Sequence, residues 1–457
     1  MYGISHIKNI FSGKVSLSIL SFLLFFSIPF GTKKFLLPLE GRTITSETDG
    51  VFLFLNDIWL FVAAIVFFLF LKKKDDVYVF FKKRGSGVFL GAFAVIALLS
   101  VFLSSHFLFS AYFFLRILFG FCMGFFVYTI VKHSGFLHAA WGMFAAGIFQ
   151  SILGVAQFMT GKSVGARYLG EIVVNESTEH IARVSIDGAF FLRAYGTMQH
   201  ANILAAFLVL SFLTGVFLLF VSFEKKEKNL PLLSLVVAGL FLVSLGVAAT
   251  FSRSGWVVFL VSLSVFLCAA FVFSNMRKNA VKILAILFLV CVGIFSVFGW
   301  AILPRASFEK NEPSVNLRAA YMRVGESIII KNPLLGVGIG NQVEYAKKNG
   351  LYERFDVSRA SDFQPVHNIF LLALSEVGLL GGIPLGLFFV YLFIFFLKHG
   401  KKNSASLWLF SSLVGFFVFG LFDHFFWTMQ SGIALFWIVT FLFILSMEGG
   451  RVETKPS

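Results

Sequence analysis

The stretch H-N-I-F-L-L-A-L-S-E-V-G-L-L-G-G (367–382) carries the chain out of a polar segment and into an apolar run that continues to Leu397. From Leu379 to Leu397 that run holds no charged residue, and as a helix it is long enough to cross a hydrocarbon core of about 30 Å. Runs of the same kind recur along the chain. They are expected near 15–30, 51–71, 88–104, 107–131, 136–159, 201–223, 231–250, 255–274, 281–302, 379–397, 406–424 and 427–446. Of the 457 residues, 58% are hydrophobic and 13% charged, against about 25% charged in soluble chains. Only 9 prolines, and no alternating ten-residue segments, argue against an outer-membrane barrel. The sequence predicts an all-α integral membrane protein with about twelve transmembrane helices. Residues 1–457 form a single polytopic membrane domain.

The net charge of +15 reads as an orientation signal rather than a nucleic-acid footprint, because most lysines and arginines fall in short loops. K-K-K-D-D…K-K-R (72–84), E-K-K-E-K (224–228), M-R-K-N-A-V-K (276–282) and K-H-G-K-K (398–402) all fall on one side of this threading. Short loops on the other side hold little beyond Lys33, Lys34, Arg42 and Arg253. Both termini are expected in the cytoplasm, with two long extracytoplasmic loops at 160–200 and 303–366. Long loops cross regardless of charge. Lys8 and Lys14 precede an apolar run without a small-residue cleavage site, so residues 1–30 read as an uncleaved first helix. Cys122, Cys268 and Cys291 lie inside apolar spans and suggest neither disulfides nor a metal site.

Within the second long loop, Leu317, Tyr321, Val324 and Ile328 form one stripe of an amphipathic helix, which Pro333 ends. Such a helix fits the headgroup plane or a lid packed on the bundle. The following K-N-P-L-L-G-V-G-I-G-N (331–341) has neither the preceding strand nor the G-K-[ST] of a nucleotide loop, and reads as a structural turn.

His367 is the principal candidate for chemistry. Asp362 and Pro365 are helix-start signals that put it in a first helical turn, where the helix dipole disfavours imidazolium. A neutral ring can accept a proton. Gly378 is expected on the same helical face, and it and Gly381–Gly382 let another backbone approach. Glu376 points the other way, inside an apolar stretch, and is expected to pair with an arginine. Arg253 in F-S-R-S-G-W and Arg193 in L-R-A-Y-G-T-M-Q-H-A-N lie at outward helix ends, and Arg116 lies within a span. Guanidinium forks suit a pyrophosphate, with a snorkelling or structural salt-bridge role as the alternative for each. His200 and the Asp423–His424 pair also lie at outward ends and read as structural residues near the same cavity. No H-E-x-x-H, carboxylate cluster or D-x-D supports a metal site or cofactor.

H-N, nine residues, then G-L-L-G (His367, Asn368, Gly378, Gly381) resembles the signature of the O-antigen ligase and O-antigen polymerase superfamily, which includes pilin O-oligosaccharyltransferases. The run L-R-A-A-Y-M-R-V-G-E-S-I-I-I-K-N-P-L-L-G-V-G-I-G-N (317–341), which includes Arg318, is similar to the segment before that histidine. R-A-Y-G-T-M-Q-H-A-N (193–202) and S-R-S-G (252–255) are similar to its two arginine-bearing segments, so the likeness covers about 193–382. The resemblance implies a bacterial cytoplasmic (inner) membrane enzyme with no cofactor. Its donor would be a glycan on polyprenyl pyrophosphate and its acceptor a hydroxyl of lipid A-core, of a glycan chain or of a protein Ser or Thr. The chemistry would be metal-independent and inverting. His367 is carried over as base or acceptor-orienting group, and Arg193 and Arg253 as pyrophosphate binders. Beside what the resemblance implies, Arg116 is expected to join the pyrophosphate binders, with Asn368, Gly378, Glu376, Arg318 and His200 in support. A transporter or flippase is the alternative from another class; it would place polar groups near the midplane.

Overall fold

The protein is described here from a computed structural model over residues 14–38, 50–70, 86–174, 178, 181–186, 188–224, 229–273, 276–306, 313–359, 362–400 and 402–448. In chain order the elements begin with α1 (Lys14–Ser27), a hairpin of β1 (Lys33–Pro38) and β2 (Gly50–Phe54), and α2 (Leu55–Phe70). Next come α3 (Ser86–Leu103), α4 (Phe107–Ser134), α5 (Phe136–Thr160) and a second hairpin, β3 (Arg183–Ile186) with β4 (Ala189–Leu192). The sequence continues through α6 (Ala201–Glu224), α7 (Leu230–Ala249), α8 (Arg253–Val272) and α9 (Arg277–Ala306) to α10 (Pro313–Lys331). Short α11 (Gln342–Lys348) and α12 (Leu351–Arg354) lead to α13 (Ile369–His399), α14 (Ser404–Gly420), α15 (Phe425–Thr428) and α16 (Gln430–Met447).

Each expected span contains a helix, and 9 of the described helices are long and apolar enough to cross a membrane. In hydrocarbon every backbone polar group must be paired within the protein, which these apolar sequences achieve as helices. The bundle is organised around α6, in which every residue from Ala201 to Val221 is buried. It packs against α5, α7, α8 and α14. α4 and α16 meet over a small-residue face: a Cβ on Gly124 would lie 2.7 Å from the Trp437 carbonyl oxygen. Such close approach substitutes for hydrophobic drive between membrane helices.

Two of the spans begin elsewhere than expected for a visible structural reason. Residues 50–54 pair with β1, Lys33 opposite Phe54, so the helix expected from 51 starts at Leu55. The helix expected from 379 starts ten residues earlier and is broken in its middle. Gly378 sits at φ 62°, ψ −171°, a conformation essentially reserved for glycine. The break therefore overturns the expectation that Gly378 shares a regular helical face with His367.

The groups freed by the break are paired by the glycine-rich turn. Val337 and Gly338 amides donate to the Ser375 and Glu376 carbonyls, both at 3.0 Å. In return the Leu379 and Leu380 amides donate to Pro333 and Leu334 oxygens at 2.9 and 3.0 Å. A Cβ on Gly378 would lie 2.2 Å from the Leu334 oxygen, and one on Gly336 2.4 Å from the Glu376 carbonyl carbon. The two glycine motifs of the sequence thus clasp each other backbone to backbone.

α10 carries the expected stripe. Tyr321, Val324 and Ile328 are buried with Val337, Ala346, Leu351, Tyr352 and Val357 in a small core of their own, with Leu317 against it. The stripe faces protein on that side. The basic loops at 72–84 and 225–228, and Lys8, lie outside the described residues.

Candidate active site

The segments before α6, α8, α10 and α13 converge at one end of the bundle, and two of them show a local reason for their shape. Asn368 caps α13, its Oδ1 accepting from the amides of Phe370 and Leu371 at 3.0 and 3.1 Å. His367 therefore stands just before the helix rather than in its first turn. Ser252 caps α8 by accepting from the Gly255 amide at 3.1 Å. The α7–α8 turn is tight enough to hold Phe251 at φ 48°, a left-handed conformation costly for an aromatic residue. Its fully buried ring, against Phe158 and Phe298, keeps it there.

Between these connections lies a cavity of about 610 Å³. Its lining includes Arg183, Arg193, Arg253, Arg305 and Arg318, together with His200, His367 and Tyr321. Of the residues singled out in the sequence, the structure brings Arg193, Arg253, Arg318, His200 and His367 to this one space.

Asn202 ties the arginine segments together. Its Oδ1 accepts from Arg193 Nη2 at 2.7 Å and from Ser252 Oγ at 3.0 Å, while its Nδ2 donates to Asp423 Oδ2 at 3.2 Å. Arg193 Nε also donates to the Thr250 carbonyl at 2.7 Å. Burial lowers the Arg193 guanidinium to about 10, with Arg305, Arg318 and Arg253 adding repulsion, so it stays charged at neutral pH. Guanidinium groups gathered in one cavity are the chemistry that recognises phosphate oxygens.

The His367 ring is fixed on several sides. Its Nδ1 lies 3.0 Å from the Pro365 carbonyl, which can only accept, so Nδ1 carries the proton and Nε2 keeps its lone pair. The ring stacks on Tyr321 at 5.3 Å and 16°, and meets His424 at 4.8 Å and 89°. Burial holds the imidazole well below its ordinary range, and His424 and Arg318 push the same way against the weaker pull of Asp423. Desolvation, more than the helix dipole invoked from sequence, keeps this ring neutral.

His200 is lowered to about 4, first by burial and then by Arg193. Its Nδ1 accepts from the Asn202 amide at 3.1 Å, which leaves the proton on Nε2. Asp423 also accepts from the His424 amide at 2.8 Å. Burial pushes its carboxyl up, but the neighbouring His424, His367 and His200 and the bond from Asn202 outweigh this and hold it below the usual range. Asp423 is thus a carboxylate whose charge acts on His200, His367 and His424, beyond the structural part that its position at an outward end suggested. Arg305 follows Pro304 at the end of α9 and Tyr321 looks like a plain stripe residue, so neither stood out in the sequence.

Two expectations are corrected. Arg116 does not line the cavity. Its Nη1 lies 3.0 Å from Asp57 Oδ1 and Oδ2, its Nη2 donates to Tyr112 Oη at 2.7 Å and to the Phe52 carbonyl, and it sits over the Phe54 and Tyr112 rings. A charge buried within a span needs such a partner. Glu376 is buried and, among the described residues, pairs with no arginine; its Oε2 accepts from Trp427 Nε1 at 2.7 Å, and the Gly340 and Gln342 amides also donate to it. That carboxylate is a neighbour of the glycine clasp rather than of the cavity.

Residues 238–386 match a family model described as O-antigen ligase. The matched residues include Arg253, Arg318, His367, Glu376 and Gly378; Arg193 and His200 precede them and Asp423 follows. No curated protein matches the chain. The matched segment supports the O-antigen ligase/polymerase superfamily, and the bundle of apolar helices fits a membrane protein of that kind.

Proposed function

We propose that this protein transfers or polymerises a polyprenyl-pyrophosphate-linked glycan onto a hydroxyl acceptor at the outer face of the bacterial cytoplasmic membrane. The observation that carries this reading is His367, its Nδ1 donating to the Pro365 carbonyl, in the lining of an arginine-rich cavity.

The acceptor hydroxyl attacks the anomeric carbon of the donor sugar while His367 Nε2 takes its proton. The bond from that carbon to the pyrophosphate oxygen breaks, and its electron pair leaves with the phosphate. A single displacement inverts the anomeric configuration. Arg193, Arg253 and Arg318 bind the pyrophosphate and meet the charge that grows on it. Preorganised cations can meet that charge without a metal ion. Asn202 holds Arg193 and Ser252 in register, and His200 offers its Nε2–H to the same cavity. Asn368 and Gly378 support the site by capping α13 and by admitting the clasp; Arg116 and Glu376 are structural.

The outward orientation draws on the excess of lysine and arginine in the opposite short loops. Residues 1–457 act as one membrane domain, with 193–382 as its catalytic core and 160–200 and 303–366 as extracytoplasmic loops.

Deleting the gene tests the function and sorts its branches. Undecorated acceptor with long lipid-linked chains indicates a ligase, single lipid-linked repeat units a polymerase, and unglycosylated protein an oligosaccharyltransferase. An unchanged pool of lipid-linked glycan refutes the proposal.

A further inference from the structure

A row of aromatic rings leads from the small core of the second long loop to His367. Phe363 stacks on Tyr352 at 4.5 Å and 8°, Tyr352 meets Tyr321 edge-on at 6.4 Å, and Tyr321 stacks on His367 at 5.3 Å and 16°. The same tyrosines hold the backbone of the segment that presents the histidine. Tyr321 Oη donates to the Asp362 carbonyl at 2.6 Å and Tyr352 Oη to the Gln364 carbonyl at 2.7 Å. With Pro365 oxygen taken by His367 Nδ1, three carbonyls between 362 and 365 are engaged by side chains.

Helix packing alone asks only for an apolar side chain at position 321, where Val324 and Ile328 continue the stripe. The residue present instead lays its ring parallel to the imidazole and lines the cavity. We propose that Tyr321 is a positioning residue for the reaction: its ring, seated on the Phe363–Tyr352 stack, sets the plane in which His367 presents Nε2. This rests on the reading of His367 as the base.

The hydrogen bond at Nδ1 and the edge-on contact with His424 each hold the imidazole at one edge, and the stacked Tyr321 ring is what bears on its face and limits tilting. When Nε2 gains a proton, the ring beside it becomes a cation, which an aromatic face attracts more than it attracts the neutral form. A contact stronger in the charged state raises kcat rather than substrate affinity.

The test uses the full-length protein in detergent, with lipid-linked glycan and acceptor extracted from cells lacking the gene. Tyr321→Leu should lower kcat at least tenfold while the donor KM stays within twofold. Tyr321→Phe, which keeps the ring and loses the bond to Asp362, should restore kcat to within threefold. If the leucine variant does not fold, Tyr321→Met refills much of the volume without a ring and carries the same expectation. Wild-type kcat in a folded Leu or Met variant overturns the proposal, because the residue would then serve only the core. A Phe variant as slow as the Leu variant also overturns it, by assigning the effect to the hydroxyl. Turnover that survives His367→Ala refutes the base itself and is seen separately from either result.

Discussion

Replacing Gly378 by alanine should destabilise the protein by about 3 kcal/mol or more, and the structure shows why. The residue sits at φ 62°, ψ −171°, where an L side chain costs about 1–3 kcal/mol. Its new Cβ would lie 2.2 Å from the Leu334 oxygen, a backbone atom that can retreat only with its loop. Such a retreat stretches the four bonds from Val337, Gly338, Leu379 and Leu380, each worth about 0.5–1.5 kcal/mol. Gly386 in the same helix is the control. A Cβ there meets nothing within 4 Å, so Gly386→Ala should be neutral or stabilise by up to about 1 kcal/mol. Thermal unfolding of both variants in one detergent measures the difference. The Gly378 variant should melt several degrees below wild type and lose transfer activity, since the clasp anchors the helix that begins beside His367. If both variants melt together at the wild-type temperature, the clasp is not a structural determinant and the reasoning fails.

Other consequences separate the arginines and the protonation states. Arg193→Ala or Arg253→Ala should weaken donor binding by about 1.5–3 kcal/mol, read by titration with lipid-linked glycan. Arg116→Met should leave donor binding unchanged but lower stability by about 3–5 kcal/mol, because Asp57 stays buried without its cation, keeping only the neutral donors Phe54 N–H and Gln430 Nε2; the melting temperature tells the two roles apart. Transfer should persist as the pH falls from 7 to about 5.5, because burial keeps His367 in its basic form below the ordinary imidazole range. Stability should fall over a lower window. His200 titrates near 6.5 when unfolded and at about 4 when folded, so the unfolded chain binds more protons as pH drops between those values. The depressed Asp423 carboxyl acts in the same direction, and melting curves against pH should show both.

The helices were legible because lipid admits few alternatives: an apolar run of sufficient length has to pair its own backbone. The α10 stripe was legible for the same reason, its buried positions recurring at helical spacing. What escaped the sequence were interactions between segments far apart. Nothing near Gly378 says that residues 333–338 will supply its missing hydrogen bonds, although both stretches advertise close approach through their glycines. Arg116 looked like a phosphate ligand until Asp57 appeared beside it across 59 residues of chain. Glu376 asked for a cation and found an indole. Arg193 and His367 could be assigned to one cavity because their positions at helix ends restrict them to one face. The bond of Asn202 to Asp423, across 221 residues, had no local trace.

The central claim is that His367 Nε2 removes the acceptor proton at a site where arginines hold the leaving pyrophosphate. The most direct measurement is single-turnover transfer by purified His367→Ala with saturating lipid-linked glycan and acceptor. The variant should fold, insert and bind donor as wild type does, yet form no glycosidic bond above background. Transfer at a rate near wild type, by a protein that still binds donor, would contradict the account.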